Sequence, residues 1–283
     1  MPAAARKRCC NVARMAVGEA RNAERLDSLF QQADVPPCPE GWSVGPPSFV
    51  GIGAPRCGTS WWFRVIVSHR DVSFVRGVSP KEVNYFWARR DRPSLSDEEI
   101  AGYHRYFPRP PDVPVTGEWT PDYMYSPLLP GHLQQAAPNA RLLILLRDPV
   151  DRFASGVTRG RRLAAEHGIE GAEAEIAARN TARGTYFEAV ARVLEAVGRD
   201  RVLVLQYERC RADYPGELRR THEFLGIDPD RGFSPPMRDT RERSLPDAER
   251  RRLAQLYAPD VRRLAQLLPE LDPELWPNVA KLV

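Results

Sequence analysis

Apolar residues in the 283-residue chain gather in three short runs, and the segments between the runs have a helical pattern. The runs are SFVGIG at 48–53, RLLILL at 141–146 and RVLVLQYE at 201–208. A continuous apolar run of this length is typical of a strand that is covered on both faces, as in a parallel sheet. Strands that alternate with helices predict a three-layer α/β fold, with a central, mostly parallel sheet flanked by helices.

Helical patterns and turn residues place the remaining elements. Thr59 is expected to cap the first helix of the main domain, and Asp148 and Pro149 are expected to open another. A Pro/Gly-rich stretch at 36–47 divides the chain into an N-terminal extension with its connector, 1–47, and a single α/β domain, 48–283. We predict an additional strand at 71–75 and helices over 16–33, 59–69, 96–107, 127–137, 170–197, 213–225, 247–257 and 259–268.

The loop after the first apolar run has the spacing of a phosphate-binding loop. Gly53 and Gly58 are separated by four residues, as in the GxxxxG part of a P-loop, which indicates a P-loop-like fold. Glycines let backbone N–H groups approach a phosphate, and the following helix start favours negative charge. Thr59 stands where a nucleoside triphosphatase has lysine, and Arg56 is the only cation of the loop. The missing lysine argues against a P-loop kinase-type phosphoryl transferase, although that interpretation stays open. A Gly-rich turn with a purely structural role also stays open.

The second apolar run also ends on a candidate anion site. Arg147 follows RLLILL directly, and Ser155 lies eight residues further on, inside the next helix. A guanidinium fork and a hydroxyl together can hold a phosphate, although Arg147 could instead pair with a structural carboxylate. Ligands bind at the carboxyl ends of parallel strands, so we expect this loop and the Gly53–Gly58 loop to meet. The later arginines Arg152, Arg159, Arg161 and Arg162 are expected to form a solvated basic face.

The segments APRCGTSWW (54–62) and RDPVDRFASGV (147–157) together resemble the two cosubstrate-binding motifs of sulfotransferases that use 3′-phosphoadenosine 5′-phosphosulfate (PAPS). KEVNYFW (81–87), GEWTPDYMYSP (117–127) and RGFSPPMRDTRERSLP (231–246) resemble segments of the heparan-sulfate-type branch, the N-/O-sulfotransferase domains. The resemblance covers roughly residues 48–270. It implies transfer of a sulfuryl group from PAPS to a hydroxyl or amine, with 3′-phosphoadenosine 5′-phosphate (PAP) as product and no metal required.

The resemblance also implies roles for particular residues. Glu82 would be the general base, Arg56 would stabilise the leaving phosphate, and Lys81 would tune Glu82 or contact the sulfate. Candidates for acceptor binding are Asn84, Glu118, Trp119 and Tyr123. Cosubstrate contacts are expected from Arg56, Cys57, Gly58, Thr59, Ser60, Trp61, Arg147, Ser155, Arg241 and Arg243.

Two departures from the family pattern affect the expected chemistry. Arg56 stands where the family often has lysine, and its higher pKa makes arginine a poorer proton donor. Trp119 stands where the glycosaminoglycan branch typically has lysine, which argues against a sulfated polysaccharide. A small molecule, a glycolipid or another saccharide remains as the expected acceptor. A non-catalytic nucleotide-binding protein is the second alternative beside the kinase.

Composition bounds the setting in which this chemistry would occur. Forty-one basic residues face 37 acidic ones, and no nucleic-acid reader motif is present, so we expect no nucleic-acid partner. No apolar run approaches 18 residues, which predicts no membrane span. The five cysteines are odd in number and form no CxxC pair, so we expect a reducing cytoplasm and no zinc site. The Arg- and Ala-rich composition suggests a bacterial enzyme of secondary metabolism.

Overall fold

The structure is a computed structural model, and it describes residues 25–26, 31–75, 81–113, 115–231 and 245–283. Most of the extension, including most of the helix expected over 16–33, lies outside these residues, as do Arg241 and Arg243. Residues 31–33, which are described, are not helical. The described strands are β1 (Ser43–Val44), β2 (Phe49–Gly53), β3 (Pro108–Arg109), β4 (Gly117–Trp119), β5 (Arg141–Leu146) and β6 (Val202–Gln206).

Helices connect these strands and cover both faces of the sheet, as the alternating pattern predicts. None of the helices in the described ranges is both long and apolar enough to cross a membrane. The described helices are α1 (Thr59–Val67), α2 (Asp97–His104), α3 (Leu129–Ala136), α4 (Pro149–Glu166), α5 (Glu173–Ala182), α6 (Phe187–Val197), α7 (Tyr207–Ala212), α8 (Tyr214–Leu225) and α9 (Asp247–Leu267).

The main sheet has four parallel strands in the order β4–β2–β5–β6. Residues of β2 and β6 are buried throughout, and β5 is buried except at Arg141, which confirms the expectation for continuous apolar runs. Gly53 pairs with Ile144, and the Ala54 N–H donates to the Leu145 carbonyl over 2.9 Å. The loops that follow β2 and β5 therefore start side by side.

A single helix, α9, replaces the two helices that were expected on either side of Pro259. Proline removes the N–H that would bond the carbonyl of Gln255, four residues earlier, and normally costs about 3 kcal/mol inside a helix. Gln255 is exposed, so water can satisfy that carbonyl. Leu253, Tyr257 and Val261 continue one buried face across the proline. Burial of that face offsets the loss of one backbone hydrogen bond.

The strand expected over 71–75 is also absent. Val72 makes only an isolated parallel bridge to Val115, and the Ser73 N–H donates a hydrogen bond to the Val115 carbonyl.

The connector at 36–47 is tied to the domain. Its β1 pairs antiparallel with β3. Just before the connector, the Ala33 N–H donates to the Val83 carbonyl over 3.1 Å.

Candidate active site

A cavity of about 1330 Å³ lies where the loops after β2 and β5 meet. Its lining brings together residues from both anion-binding loops and from the segment after residue 80. Of the residues predicted to bind the cosubstrate or acceptor or to act as the base, those that line it are Arg56, Gly58, Thr59, Ser60, Glu82, Asn84, Arg147 and Ser155.

The loop after β2 enters α1 through a left-handed glycine. Gly58 occupies the N-cap position with a φ of 92°, and α1 begins at Thr59 without a side-chain cap. The expectation that Thr59 caps this helix is wrong, because the backbone itself turns at Gly58. The first N–H groups of a helix have no carbonyl partner within it, so those after Gly58 suit an anion.

The two anion-binding loops touch through side chains. Arg56 Nε donates a hydrogen bond of 3.2 Å to Ser155 Oγ, across 99 residues of sequence. Arg56 comes from the loop after β2, and Ser155 comes from α4, the helix that follows β5. One cation and one hydroxyl are thus brought to the same place, as expected for a shared phosphate-bearing ligand.

Three non-glycine residues of the described chain have a left-handed backbone, and all three line the cavity. They are Arg56 with a φ of 70°, Glu82 with 62° and Asn84 with 56°. Such conformations are uncommon outside glycine and cluster at functional sites, where surrounding contacts hold them. The unusual backbone conformations therefore occur in the same cavity as the candidate site side chains.

Glu82 presents a partly exposed carboxylate beside an otherwise buried lysine. Glu82 Oε1 lies 3.1 Å from Lys81 Nζ, with exposed side-chain fractions of 59% for Glu82 and 12% for Lys81. Burial lowers the pKa of Lys81, while the neighbouring Glu82 carboxylate raises it. The Glu82 N–H donates to the Trp119 carbonyl at the edge of β4, which fixes the segment. Lys81 does not line the cavity, so its influence reaches the cavity through Glu82.

Asn84 connects the cavity wall to the N-terminal extension. Its Nδ2 donates to the Gln31 carbonyl over 2.8 Å, and its backbone N–H donates to Thr120 Oγ1 over 3.2 Å. Gln31 lines the cavity as well. Part of the Asn84 amide is thus used to hold structure rather than to face a ligand.

Arg147 offers the buried donor that an anionic ligand would fit. Its guanidinium carbon lies 4.8 Å from the centre of the Tyr207 ring, and Nη2 is 3.9 Å from Asp151 Oδ2. Arg147 Nε is buried and has no hydrogen-bond partner among the described residues. Leaving a buried N–H unsatisfied costs free energy, which a phosphate oxygen would recover. The donor set therefore fits a phosphate at this place.

Two residues expected to contact the cosubstrate have side chains that point elsewhere. Cys57 is fully buried, with Sγ 3.7 Å from the Tyr186 hydroxyl, and burial raises the pKa of its thiol to about 11. The Trp61 ring stacks on Tyr214 with the centroids 5.8 Å apart. Neither lines the cavity, so only their backbone could contribute to binding.

Three residues expected to bind the acceptor belong to the core. Trp119 is fully buried, and its Nε1 donates to the Gly53 carbonyl over 3.1 Å. Glu118 accepts hydrogen bonds from the Tyr103 hydroxyl at 2.8 Å and Thr120 Oγ1 at 2.5 Å. The Tyr123 hydroxyl accepts from the Phe86 N–H over 3.3 Å. None of the three lines the cavity.

Arg152 is the residue whose position the sequence did not indicate. It is fully buried rather than solvated, and its Nε donates to the Pro55 carbonyl over 3.1 Å. Its two other nitrogens bond the backbone carbonyl and Oδ1 of Asn180 at 2.5 and 3.0 Å. A Cβ at Gly156 would lie 1.8 Å from that Oδ1. This glycine, one turn after Arg152, is the only signal in the sequence that another chain segment packs there.

The cavity is strongly basic. Nine arginines line it against three carboxylates, so its charge is positive although the whole chain is nearly balanced. Arg183 and Asp122 form an ion pair within it. Besides Arg56, Arg147 and Arg152, the lining arginines are Arg159, Arg162, Arg179, Arg183, Arg211 and Arg250.

Comparison with known proteins gives consistent matches. Residues 46–244 match the family model of the sulfotransferase domain. Heparan sulfate glucosamine 3-O-sulfotransferase 6 from Mus musculus is 26% identical over 191 residues, which is 64% of this chain and 52% of the mouse protein. Human heparan sulfate glucosamine 3-O-sulfotransferase 3B1 is 27% identical over 192 residues, 64% of this chain and 46% of the human protein. The chain thus spans about half the length of the curated relatives it matches.

One solved structure matches a larger share of this chain than these curated relatives do. The sulfotransferase from Alicyclobacillus acidocaldarius superposes with a TM-score of 0.64 and 26% sequence identity. The match covers 82% of this chain and 99% of that structure.

Proposed function

Because the chain belongs to the sulfotransferase domain family, we propose that it transfers a sulfuryl group from PAPS to an acceptor hydroxyl or amine and releases PAP. The observation that carries this proposal is the hydrogen bond between Arg56 and Ser155 in the basic cavity. It joins the two motifs that would hold the two phosphate-bearing ends of one nucleotide. A kinase-type reaction is disfavoured because Thr59, not lysine, begins α1.

Different residues would hold the two ends of the cosubstrate, which supplies the sulfuryl group when bound. Arg56, with the backbone N–H groups of Gly58, Thr59 and Ser60, would hold the 5′-phosphosulfate. Arg147 and Ser155 would hold the 3′-phosphate. The buried, unsatisfied Nε of Arg147 supports this assignment.

Glu82 is proposed as the general base. Its carboxylate is exposed to the cavity, and the Lys81 ammonium 3.1 Å away restrains it. As an acceptor hydroxyl attacks, Glu82 would take its proton, and Arg56 would balance the negative charge that develops on the leaving phosphate oxygen. The lining arginines and backbone amides supply positive charge, so the proposed reaction needs no metal ion.

We propose a saccharide with acidic groups as the acceptor. The expectation against a sulfated polysaccharide rested on Trp119 standing where the glycosaminoglycan branch has lysine. This side chain is buried in the core and does not line the cavity, so the position does not decide the charge of the cavity. Beyond Ser155, the cavity continues along arginines of α4 and α5, namely Arg159, Arg162 and Arg179. The mouse and human relatives are named for sulfation of heparan sulfate glucosamine. Basic lining and relatives thus point to the same acceptor class.

Acceptor-dependent PAP release tests this function. The purified chain would be incubated with PAPS and an oligosaccharide of glucuronic acid and glucosamine, with the carboxyl-reduced oligosaccharide as neutral control. We expect release only with the acidic acceptor. Glu82→Gln should lower kcat by about 100-fold or more while PAP affinity is retained, and Glu98→Gln, on the exposed start of α2, should change neither.

Three outcomes would contradict parts of the proposal. Equal rates for wild type and Glu82→Gln would remove Glu82 as the base. Equal rates with both oligosaccharides would remove the acidic-acceptor assignment. PAP binding without transfer to any acceptor would favour a non-catalytic nucleotide-binding protein.

A further inference from the structure

The C-terminal residues Arg250 and Asn278 line the same cavity, although both lie outside the 46–244 match. We propose that Arg250 and Asn278 bind the 3′-phosphate of the cosubstrate together with Arg147. This inference rests on the proposed use of PAPS.

The segment that carries Asn278 is fixed to the end of the sheet. Trp276 is fully buried, and its Nε1 donates to Glu208 Oε2 over 2.8 Å. Gln206, the last residue of β6, bonds Asp272 twice, donating to its carbonyl at 2.7 Å and accepting from its N–H at 3.1 Å. These buried contacts hold the segment in a definite position beside the carboxyl ends of β5 and β6.

Asn278 is placed directly at the start of α4. Its backbone N–H donates to Asp148 Oδ2 over 3.1 Å. The other carboxylate oxygen of Asp148 caps α4 by accepting from the Val150 N–H at 2.9 Å. One carboxylate therefore sets the position of Asn278 relative to the helix that carries Ser155.

A second carboxylate, that of Asp151, joins the three proposed phosphate ligands. Asp151 Oδ1 accepts from Arg250 Nη1 at 3.3 Å and from Asn278 Nδ2 at 3.2 Å. Arg250 Nη1 also donates to Asn278 Oδ1 at 2.6 Å, and Arg147 Nη2 lies 3.9 Å from Asp151 Oδ2. Two guanidinium groups and one amide are thus gathered around a single point of the cavity wall.

The charges of this group fit a doubly charged phosphate. Arg147, Arg250 and the Asp151 carboxylate between them together carry a net charge of +1. Asp151 would orient both cations, and the exposed fractions of Arg250 (33%) and Asp151 (37%) show that the group is open to solvent. Guanidinium groups bind phosphate through short, charge-assisted hydrogen bonds, so the two arginines should contribute more than Asn278.

Titration calorimetry with two nucleotides tests the assignment. PAP and adenosine 5′-monophosphate differ only in the 3′-phosphate, so residues that bind this group should affect PAP alone. We expect Arg250→Ala to weaken PAP about tenfold or more and Asn278→Ala to weaken it about threefold. Neither should change the affinity for adenosine 5′-monophosphate. Arg252→Ala is the matched control, because Arg252 is exposed on the same helix and forms an ion pair with Glu249 at the surface.

The outcomes separate this inference from the proposed function. No PAP binding by wild type would remove the proposed function itself. Unchanged PAP affinity in Arg250→Ala and Asn278→Ala, with wild type binding normally, would overturn only the present inference, as would an equal loss for both nucleotides. Arg250→Lys, which keeps the charge, should fall between wild type and Arg250→Ala, and it serves if the alanine variant does not fold.

Discussion

At the scale of single residues, the loop between β2 and α1 depends on how closely backbone and side chains approach. Gly58 has a φ of 92°, and a Cβ there would lie 2.6 Å from the Tyr207 ring. Tyr207 in turn lies under the Arg147 guanidinium. One glycine therefore controls both the direction of the first N–H groups of α1 and the surface on which Arg147 rests.

Gly58→Ala should lower both stability and PAP affinity. The substitution combines a left-handed backbone, which costs about 1–2 kcal/mol for a residue with a Cβ, with a collision against Tyr207. Gly171→Ala is the control, since Gly171 also has a positive φ, 67°, but open space around its Cβ position. Denaturant unfolding and PAP titration of both variants measure the two costs. Similar losses in both variants would show that the contact with Tyr207 does not matter.

The residue scale also shows where sequence reasoning stops. Arg147 was predicted at the cavity because it ends a buried strand, and it lines the cavity. Arg152 has the same chemistry five residues later, but its partner Asn180 comes from α5, a different helix. Apart from Gly156, the local sequence contains no sign of such a partner. Burial of a polar residue is decided by tertiary contacts, which is why Arg152 was placed wrongly.

At the scale of elements, the short strand β4 carries a buried acid. Glu118 is fully buried, and burial raises its pKa from 4.5 to about 7. The unfolded chain therefore loses this proton at lower pH than the folded chain does. This group contributes stability that is fully present below about pH 4.5 and is lost as the pH rises through about 7.

Glu118→Gln should reduce the pH dependence of stability. Thermal unfolding midpoints would be measured for wild type and variant between about pH 5 and about pH 8. The wild-type midpoint should fall relative to that of the variant as the pH rises. Burial also raises the pKa of Glu208 to about 7, so part of the wild-type slope should remain in the variant. Parallel curves would show that Glu118 is ionised in the folded protein across this range.

The sequence predicted an element correctly where a continuous apolar run or a capping residue determined it. The strands β2, β5 and β6 follow from continuous apolar runs, and Asp148 caps α4 as its position before Pro149 predicts. The order of the strands was not predictable from the pattern, since each parallel strand is equally buried on both faces. The continuous helix α9 was missed because its buried face, not the propensity of Pro259, decides its length.

At the scale of the whole molecule, the distribution of charge matters more than its sum. Forty-one basic and 37 acidic residues leave a net charge of +4, which says little about partners. The structure gathers nine arginines around one cavity. They come from the loops after β2 and β5, from the helices α4, α5, α7 and α9, and from Arg183, which directly follows α5. The sequence indicated the two anion-binding loops separately, whereas the convergence of the other arginines depends on the fold.

Calorimetric titration with PAP, in the absence of magnesium, tests the central claim most directly. Wild type and Arg147→Ala would be titrated with PAP, with ATP as the competing nucleotide. We expect wild type to bind PAP without magnesium, to bind ATP far more weakly, and to lose PAP binding when Arg147 is replaced. Absence of PAP binding by wild type, or ATP binding that requires magnesium, would contradict the sulfotransferase assignment and return the loop after β2 to the phosphoryl transferases.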